Sequence, residues 1–299
     1  MTFNSIAIIG FGEAGPAFAR GFRNSGTGIA RAFDIAYGTG SPSDAVFEAR
    51  AKASGTELKR DRADAVRGAE LIICTVTADL AEVAAEQVAP SLRPGQIYFD
   101  LNSCAPARKK AIAAVVTKAG ASFVEGVAMD TVPKMGFQVP LLLAGPDAAG
   151  ILDRLTAHGM VAEVAGPELG QASSVKLLRS VLIKGMEALF AESVAAATVI
   201  GVQDQIIGSL AKTYPGLDWH EIAGYQISRL AIHGKRRAAE MRESADTVRS
   251  LGIEPLMATA IAERQQWAAD IDLKAHYMEN PAETIENYKA ALSTRRTKA

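Results

Sequence analysis

The stretch Ser5-Ile-Ala-Ile-Ile-Gly10-Phe-Gly12-Glu-Ala-Gly15 decides the fold of this chain. Its first five residues are almost wholly apolar, which is typical of a parallel β-strand covered on both faces. The three glycines have the spacing of a dinucleotide-binding turn. The first permits a tight turn, the second lets the backbone approach a pyrophosphate, and the third lets a helix pack on the strand. The stretch therefore predicts a strand, a phosphate-binding turn and a helix.

A carboxylate further along supports a dinucleotide site. Asp34 lies 19 residues past Gly15, at the end of a predicted strand from Ile29 to Phe33. A carboxylate there binds ribose hydroxyls and repels a 2′-phosphate, and residues 35–37 contain no arginine. We therefore predict NAD as the cofactor, with NADP not excluded; the alternative is that Asp34 is only a turn residue. The predicted cofactor contacts are Gly10, Phe11, Gly12, Glu13, Ala14, Gly15, Asp34, Thr75, Val76, Thr77 and Asn102.

Strand and helix patterns alternate through the first half of the chain. Further strands are predicted at 69–76, 95–100, 121–125 and 141–144, and helices at 44–54 and 106–119. This alternation predicts an α/β fold with a doubly wound parallel sheet. From Leu169 onward only helical patterns occur, at 169–200, 203–212, 219–243, 245–251, 256–270 and 280–292. We therefore expect a Rossmann domain over 1–166 and an all-α substrate and dimerisation domain over 167–299, beginning with a long interdomain helix.

Composition limits the classes of partner. The 299 residues carry a net charge of −1, so nothing global attracts nucleic acid or an acidic membrane surface. The two cysteines, Cys74 and Cys104, lack metal-ligand spacing, and no metal is expected. The most apolar window, Val181 to Val202, contains three charged residues and is therefore read as a buried helix instead of a membrane span. We expect a cytoplasmic protein without nucleic-acid or membrane partners.

A polar stripe marks the first helix of the second domain. At 3.6 residues per turn, Ser173, Lys176, Ser180, Lys184 and Glu187 share one face, and apolar residues surround them. A helix this apolar is expected to be buried. One interpretation pairs Lys184 with Glu187 and lets Lys176 reach solvent. The other makes Lys176 a working group beside the cofactor.

A second candidate segment follows the strand at 95–100. In Asp100-Leu-Asn-Ser-Cys-Ala-Pro106, the side chains of Asn102 and Ser103 would hold a carboxamide or a substrate hydroxyl, or simply cap the next helix. The first turn of that helix carries Arg108, Lys109 and Lys110, whose charges oppose the helix dipole. Either an anionic ligand or a solvated basic face accounts for them.

Together these segments resemble the β-hydroxyacid dehydrogenase and 6-phosphogluconate dehydrogenase-like superfamily, which includes 3-hydroxyisobutyrate dehydrogenases and imine reductases. The resemblance rests on the turn at Gly10, the turn at Asn102 and Ser103, and the helix containing Gly170 and Lys176. His233-Gly-Lys-Arg-Arg-Ala-Ala-Glu-Met241 resembles a branch with a C-terminal domain of unknown function. The resemblance implies hydride transfer between nicotinamide and a small, anionic hydroxy acid or sugar acid.

The resemblance also implies roles for individual residues. Lys176 corresponds to the family's acid/base lysine, and Asn102, Ser103 and Ser180 would orient the reacting groups. Two positions depart from the family pattern: Ser180 replaces an asparagine, and Met129 replaces the serine that would touch a substrate carboxylate. These departures keep two alternatives open, an imine reductase and a non-catalytic regulator that binds NAD(H).

Self-association is a further expectation. The C-terminal helices contain more apolar residues than one small domain needs to bury, for example Leu256, Met257, Ala258 and Ile261. Relatives that the chain resembles form dimers there. We therefore expect a homodimer. The basic residues Lys235, Arg236 and Arg237 either face a cleft or form a solvated helix face paired with Glu240, and we expect the solvated face.

Overall fold

The computed structural model describes residues 2–296, and the chain divides into two compact units, Met1–Lys176 and Leu177–Ala299. The strands are β1 (Ser5–Ile9), β2 (Ile29–Phe33), β3 (Glu57–Lys59), β4 (Leu71–Cys74), β5 (Ile97–Asp100), β6 (Ser122–Ala128), β7 (Leu141–Ala144) and β8 (Ala162–Gly166). The helices of the first unit are α1 (Gly15–Asn24), α2 (Ser43–Ser54), α3 (Arg62–Val66), α4 (Ala81–Val88), α5 (Pro106–Lys118), α6 (Val132–Met135) and α7 (Ala148–Ala157). They are followed by α8 (Gln171–Ile200), α9 (Gln203–Thr213), α10 (Trp219–Ser250), α11 (Leu256–Asp270), α12 (Leu273–Glu279) and α13 (Ile285–Arg296).

The sheet has the strand order β3-β2-β1-β4-β5-β6-β7-β8. The chain winds outward from β1 in one direction and then, from β4, in the other, so the predicted doubly wound α/β fold followed by helices is confirmed. The point where the winding reverses lies between β1 and β4, where crevices for ligands form in such sheets. The sheet is not wholly parallel, because β7 runs antiparallel to β6.

Both faces of the sheet are covered, which explains the apolar run at the start of the chain. Ile6 and Ile8 pack on one side with Phe18 and Phe22 of α1. Successive strand residues point to opposite faces, so Ile9 packs on the other side, in the cluster that contains residues of α4 and α5. Every residue of β1 is buried as a result.

Some elements differ from the predicted ones. The edge strands β3 and β8 and the helix α7 carry weak patterns and were not predicted. Residues 219–250 form the single helix α10 where two helices were expected. Helix α13 overlaps the helix predicted at 280–292, and the short α12 before it was not predicted. No described helix combines the length and the apolar character needed to cross a membrane.

The second unit contains buried charges whose partners differ from the predicted ones. Lys184 Nζ lies 2.9 Å from a carboxylate oxygen of Glu240 on α10, so the predicted Lys184–Glu187 pair is wrong. Glu187, which is 1% exposed, pairs instead with Arg237. Arg236 pairs with Glu240 as predicted, whereas Arg237 does not. The reason is that α10 lies alongside α8 within this unit and supplies partners across the helix pair.

The apolar residues of α8 are only partly buried. Ser173, Lys184 and Glu187 are buried, whereas Leu182 is 72% exposed and Leu189 is 61% exposed. The expectation that the apolar residues around the polar stripe are buried is therefore wrong for the single chain. Part of the polar stripe faces inward, and a row of apolar side chains faces outward.

Candidate functional site

The glycine turn between β1 and α1 has the geometry that its spacing predicts. Gly10 has φ +89°, a backbone conformation that favours glycine, and a Cβ there would lie 2.7 Å from the Thr75 carbonyl oxygen. A Cβ on Gly15 would lie 2.5 Å from the Gly10 carbonyl oxygen. In contrast, nothing lies within 4 Å of the Cβ position of Gly12. The first and third glycines therefore fit the turn closely, and the second faces open space.

A cavity of about 520 Å³ lies at the carboxyl ends of β1, β2 and β4. Of the predicted cofactor contacts, Gly10, Gly12, Glu13, Ala14, Asp34, Thr75, Val76 and Thr77 line it. Phe11 does not, because its side chain is fully buried in the core. Gly15 and Asn102 are also absent from its lining. Thr75 closes the turn, since its hydroxyl donates to the Gly10 carbonyl oxygen at 2.8 Å.

Asp34 is held at the end of β2 by backbone amides. Its carboxylate accepts the N–H of Phe11 at 2.7 Å and that of Ala36 at 2.9 Å. Arg62, from the start of α3, lines the same cavity with its guanidinium carbon 5.3 Å from the ring centre of Phe33. The expectation that no cation neighbours Asp34 considered only residues 35–37, and Arg62 corrects it. The edge strand β3, which precedes Arg62 and pairs with β2, was the signal that could have located it.

The residues of this cavity fit a dinucleotide. Helix α1 begins at the cavity without a side-chain cap on its terminal amides, and an uncapped helix N-terminus binds phosphate through its N–H groups and its dipole. The open space at Gly12 gives a pyrophosphate access to that backbone. Residues around Gly12, Glu13 and Ala14 would hold the pyrophosphate, and Asp34 would hold the ribose. The described residues contain no group of three or more His, Cys, Asp or Glu side chains suited to a metal ion.

A second cavity of about 240 Å³ shares Ala14, Thr75 and Val76 with the first. Its lining includes Asn102 and Ser103 from the turn after β5. The Asn102 side chain donates to Asp100 and, at 3.3 Å, to the sulfur of Cys74. Within the described part of the chain, the buried Oδ1 of Asn102 has no hydrogen-bond donor. Such an acceptor suits the N–H of a ligand amide, because an unmatched buried polar atom is costly.

Lys176 lies beside this turn. Its Nζ donates a hydrogen bond to the Ser103 hydroxyl at 2.7 Å. Asn102 is buried, Ser103 is exposed, and Lys176 is partly exposed. The structure thus brings Lys176, Ser103 and Asn102 together within the first unit. Ser180 lies one helical turn further along α8 and is partly buried.

The basic residues at the start of α5 have three different environments. Arg108 donates to the carbonyl oxygen of Ala78 at 2.6 Å. Lys109 is fully buried, and its Nζ lies 3.2 Å from Asp100 Oδ2. Lys110 is exposed. Neither an anion site nor a single solvated face describes all three, because Lys109 neutralises a buried carboxylate.

Three further side chains near the site, those of Cys74, Cys104 and Met129, are apolar or uncharged. Burial raises the pKa of the Cys74 thiol to about 11 and that of Cys104 to about 12, and the Asp100 charge adds to both shifts. Both thiols therefore stay protonated near neutral pH. Met129 packs against an apolar cluster that includes Leu142 and Ala172.

Comparison with known proteins identifies relatives of both parts of the chain. Residues 5–103 match the family described as NADP oxidoreductase coenzyme F420-dependent, and residues 197–268 match a domain of unknown function, DUF1932. A conserved hypothetical protein from Sinorhizobium meliloti 1021 is 35% identical, with a TM-score of 0.83, over 97% of this chain and 96% of that one. A conserved protein of unknown function, reported as structurally similar to 3-hydroxyacid dehydrogenases, is 29% identical, with a TM-score of 0.75, over 89% of this chain and 96% of that one. Mycobacterium tuberculosis 3-hydroxyisobutyrate dehydrogenase shares the fold at 17% identity, with a TM-score of 0.72, over 99% of this chain and 100% of that one.

The fold and the glycine turn define a Rossmann-type dinucleotide-binding protein with an all-helical C-terminal region. The chain belongs to the same family as the Sinorhizobium meliloti protein, and it combines an NADP oxidoreductase-type N-terminal domain with the C-terminal domain of unknown function. It shares its fold with 3-hydroxyisobutyrate dehydrogenases. Imine reductases are among the solved structures that share the fold.

Proposed function

We propose that this protein is an NAD(P)-dependent oxidoreductase that acts on the CH–OH group of a small, anionic hydroxy acid or sugar acid. The observation that carries the proposal is the 2.7 Å contact between Lys176 Nζ and the Ser103 hydroxyl. Ser103 borders a cavity that shares residues with the dinucleotide cavity. A lysine amine beside the proposed nicotinamide site would supply the acid/base group for hydride transfer to or from a hydroxyl-bearing carbon.

The chain's own residues would move and orient the proton. When bound, the nicotinamide would supply the hydride acceptor or donor. In the oxidation direction, neutral Lys176 would take the proton of the substrate hydroxyl, while Ser103 orients that hydroxyl and Asn102 accepts the carboxamide N–H. Ser180 is proposed as a further orienting group. Proton transfer by a positioned side chain typically contributes about two to four orders of magnitude in rate.

A substrate panel tests the proposal. The purified protein is incubated with hydroxy acids, sugar acids, simple alcohols and imines, with NAD(H) and with NADP(H), and reduced nicotinamide is followed optically. The proposal predicts turnover of at least one hydroxy acid or sugar acid. Turnover of imines alone would contradict it in favour of imine reduction.

Imine reduction is the second candidate because Met129 contributes an apolar contact at the position where relatives of this kind place a serine. An imine substrate lacks a carboxylate that would need that serine.

A non-catalytic regulator is the third candidate. It predicts tight cofactor binding without turnover of any compound in the panel.

The cofactor preference is a testable expectation. We propose that NAD is preferred, because the Asp34 carboxylate lines the cavity and would repel a 2′-phosphate. Wild-type protein should therefore bind NADH more tightly than NADPH. Replacing Asp34 with serine and Ile35 with arginine should change the ratio of the two dissociation constants by about tenfold or more toward NADPH. Fluorescence titration with each reduced cofactor measures both constants.

Two variants make this measurement sharper. Asp153→Ser removes an exposed aspartate of α7 and should leave the ratio unchanged. Arg62→Ala reports how much of any NADPH affinity depends on the arginine in the cavity. Tighter binding of NADPH than NADH by the wild-type protein would show that the role given to Asp34 is wrong.

We also propose a homodimer, on the basis of the exposed apolar residues of the second unit. Leu182, Met186 and Leu189 recur at helical spacing on α8, with exposures of 72%, 40% and 61%. Leu256 and Met257 are exposed as well, whereas Ala258 and Ile261 are buried within their own unit. Of the four residues expected on α11, only Leu256 and Met257 are therefore available for association, and α8 adds a row of exposed apolar side chains. Exposed apolar patches of this kind mark association surfaces.

Light scattering at micromolar concentration checks the dimer. The wild-type protein should give twice the chain mass of 31.5 kDa. Replacing Leu182 and Leu189 with glutamate should give the single-chain mass, because two buried charges would face each other across the interface. Val46→Glu on α2 is the matched control and should leave the mass unchanged. A wild-type species of 31.5 kDa alone would rule out the dimer.

A further inference from the structure

Two fully buried carboxylates lie side by side in the sheet beneath the site. Asp100 of β5 and Glu125 of β6 are in-register partners in the parallel strand pair, and both are 0% exposed. Paired residues of neighbouring strands project to the same face of a sheet. Buried carboxylates are costly unless hydrogen-bonded or paired. Their partners therefore indicate what each one does.

Glu125 binds the N-terminus of the helix that carries Lys176. Its Oε1 accepts the backbone N–H of Ser173 at 2.6 Å, and its Oε2 accepts the N–H of Gly170. These amides belong to the first turn of α8 and the residue before it, where N–H groups lack helical partners. Hydrogen bonds to a charged acceptor are stronger than neutral ones, and a negative charge is favourable at a helix N-terminus. Glu125 thus fixes the start of α8 to the sheet.

Asp100 fixes the turn that carries Ser103, the hydrogen-bond partner of Lys176. Its Oδ1 accepts the backbone N–H of Asn102 at 3.0 Å and also accepts from the Asn102 side chain. Ser103 follows directly and accepts the hydrogen bond of Lys176. The starts of α5 and α8 are also close, since a Cβ on Gly170 would lie 2.9 Å from Pro106 Cβ. One pair of strands therefore anchors both partners of the Lys176–Ser103 contact.

We infer that Glu125 is a positioning residue for Lys176. It acts through the helix backbone, because Lys176 lies one turn after Ser173, about 4.5 Å along the helix axis. In Glu125→Gln, one oxygen of the side chain becomes an NH₂ group that faces an N–H donor, so one of the two helix amides loses its acceptor. The start of α8 then shifts away from the sheet, and Lys176 loses its alignment with Ser103. A misplacement of about 1 Å typically reduces turnover by as much as a hundredfold.

The inference rests on the proposed function only where turnover is measured. We therefore test it first by competitive acetylation of the purified protein with acetic anhydride, with peptide mass spectrometry giving a rate for each lysine. Glu125→Gln should change the labelling rate of Lys176 by about fivefold or more, while Lys118 on α5 keeps its wild-type rate. Glu168→Gln is the matched control, since this exposed glutamate lies just before the same helix. It should leave every rate unchanged.

Turnover of a substrate from the panel supplies the second measurement. Glu125→Gln should lower kcat by about tenfold or more without changing KM or the dissociation constant of NADH. Glu125→Asp, which keeps the charge but is shorter by one methylene, should recover part of the loss. A general loss of structure would change KM, cofactor affinity and all lysine rates together.

The outcomes are distinct for the inference and for the proposed function. Wild-type labelling of Lys176 in folded Glu125→Gln would overturn the inference. If that variant does not fold, wild-type labelling in folded Glu125→Asp would overturn it. A changed Lys176 rate in Glu125→Gln together with full activity of Lys176→Ala would support the positioning by Glu125 and reject the acid/base role of Lys176.

Discussion

Lys176→Ala should lower turnover by about a hundredfold or more while leaving the dissociation constant of NADH nearly unchanged. The cofactor would be held by the glycine turn and Asp34, whereas the Lys176 amine contacts the Ser103 hydroxyl at the edge of the neighbouring cavity. Removing the amine therefore removes the proton acceptor but none of the groups that would hold the dinucleotide. Initial rates with the best substrate of the panel and a fluorescence titration with NADH measure the two quantities.

Two further variants define the role of this lysine. Lys176→Arg should not restore activity, because a guanidinium remains protonated and cannot serve as a base near neutral pH. Lys118→Ala removes an exposed lysine of α5 and should retain wild-type turnover. If Lys176→Ala keeps most of its activity, the acid/base role belongs to another group, and Asp130, two residues after the end of β6, would be tested next.

Lys109→Met should destabilise the first unit by about 3–5 kcal/mol. Lys109 and Asp100 are both fully buried, with Nζ 3.2 Å from Asp100 Oδ2. The same ammonium donates to the carbonyl oxygens of Asp100 at 2.9 Å and Gly126 at 3.1 Å. Methionine is unbranched and only one heavy atom shorter than lysine, but it leaves the buried carboxylate without its counter-charge. The substitution therefore raises the free energy of the folded state more than that of the unfolded chain, because water hydrates the Asp100 carboxylate in the unfolded chain.

Hydrogen exchange in increasing urea, read on peptides that span β5 and α5, measures this loss. Tryptophan fluorescence is unsuitable, because both tryptophans, Trp219 and Trp267, lie in the second unit. Lys118→Met on the same helix should cost less than about 0.5 kcal/mol, as exposed substitutions usually do. Adding Asp100→Asn to Lys109→Met should recover part of the lost stability, because the unpaired charge is gone. Wild-type protection in Lys109→Met would contradict the structural role of the pair.

Local patterns were enough to predict much of the first unit. Strands β2 and β7 have the predicted bounds. β7 is a short apolar run, β2 alternates between buried and more exposed residues, and both are followed by a turn residue. The glycine turn and Asp34 were found because both lie near one another in sequence and have fixed spacing. The direction of β7 was missed, since an apolar run reads the same for parallel and antiparallel strands.

Contacts between distant segments could not be read from those patterns. Glu187 has Lys184 one turn away on its own helix, yet it pairs with Arg237 on a helix packed beside it. Arg62 reaches the Asp34 cavity only because β3 adds to the edge of the sheet. Glu125 was predicted as the last residue of a strand at 121–125, and its contact with Ser173 spans 48 residues. Helical and strand periodicity describe one element at a time, so partners across elements require the packed structure.

Transfer of deuterium from substrate to cofactor tests the central claim most directly. A hydroxy acid or sugar acid deuterated at the carbinol carbon is incubated with the protein and NAD, and the recovered reduced nicotinamide is analysed by mass spectrometry. The account predicts one deuterium per reduced nicotinamide formed, at a rate that falls by about a hundredfold or more in Lys176→Ala. A protein that binds NADH tightly and yet transfers no deuterium from any hydroxy acid or sugar acid of the panel would contradict it.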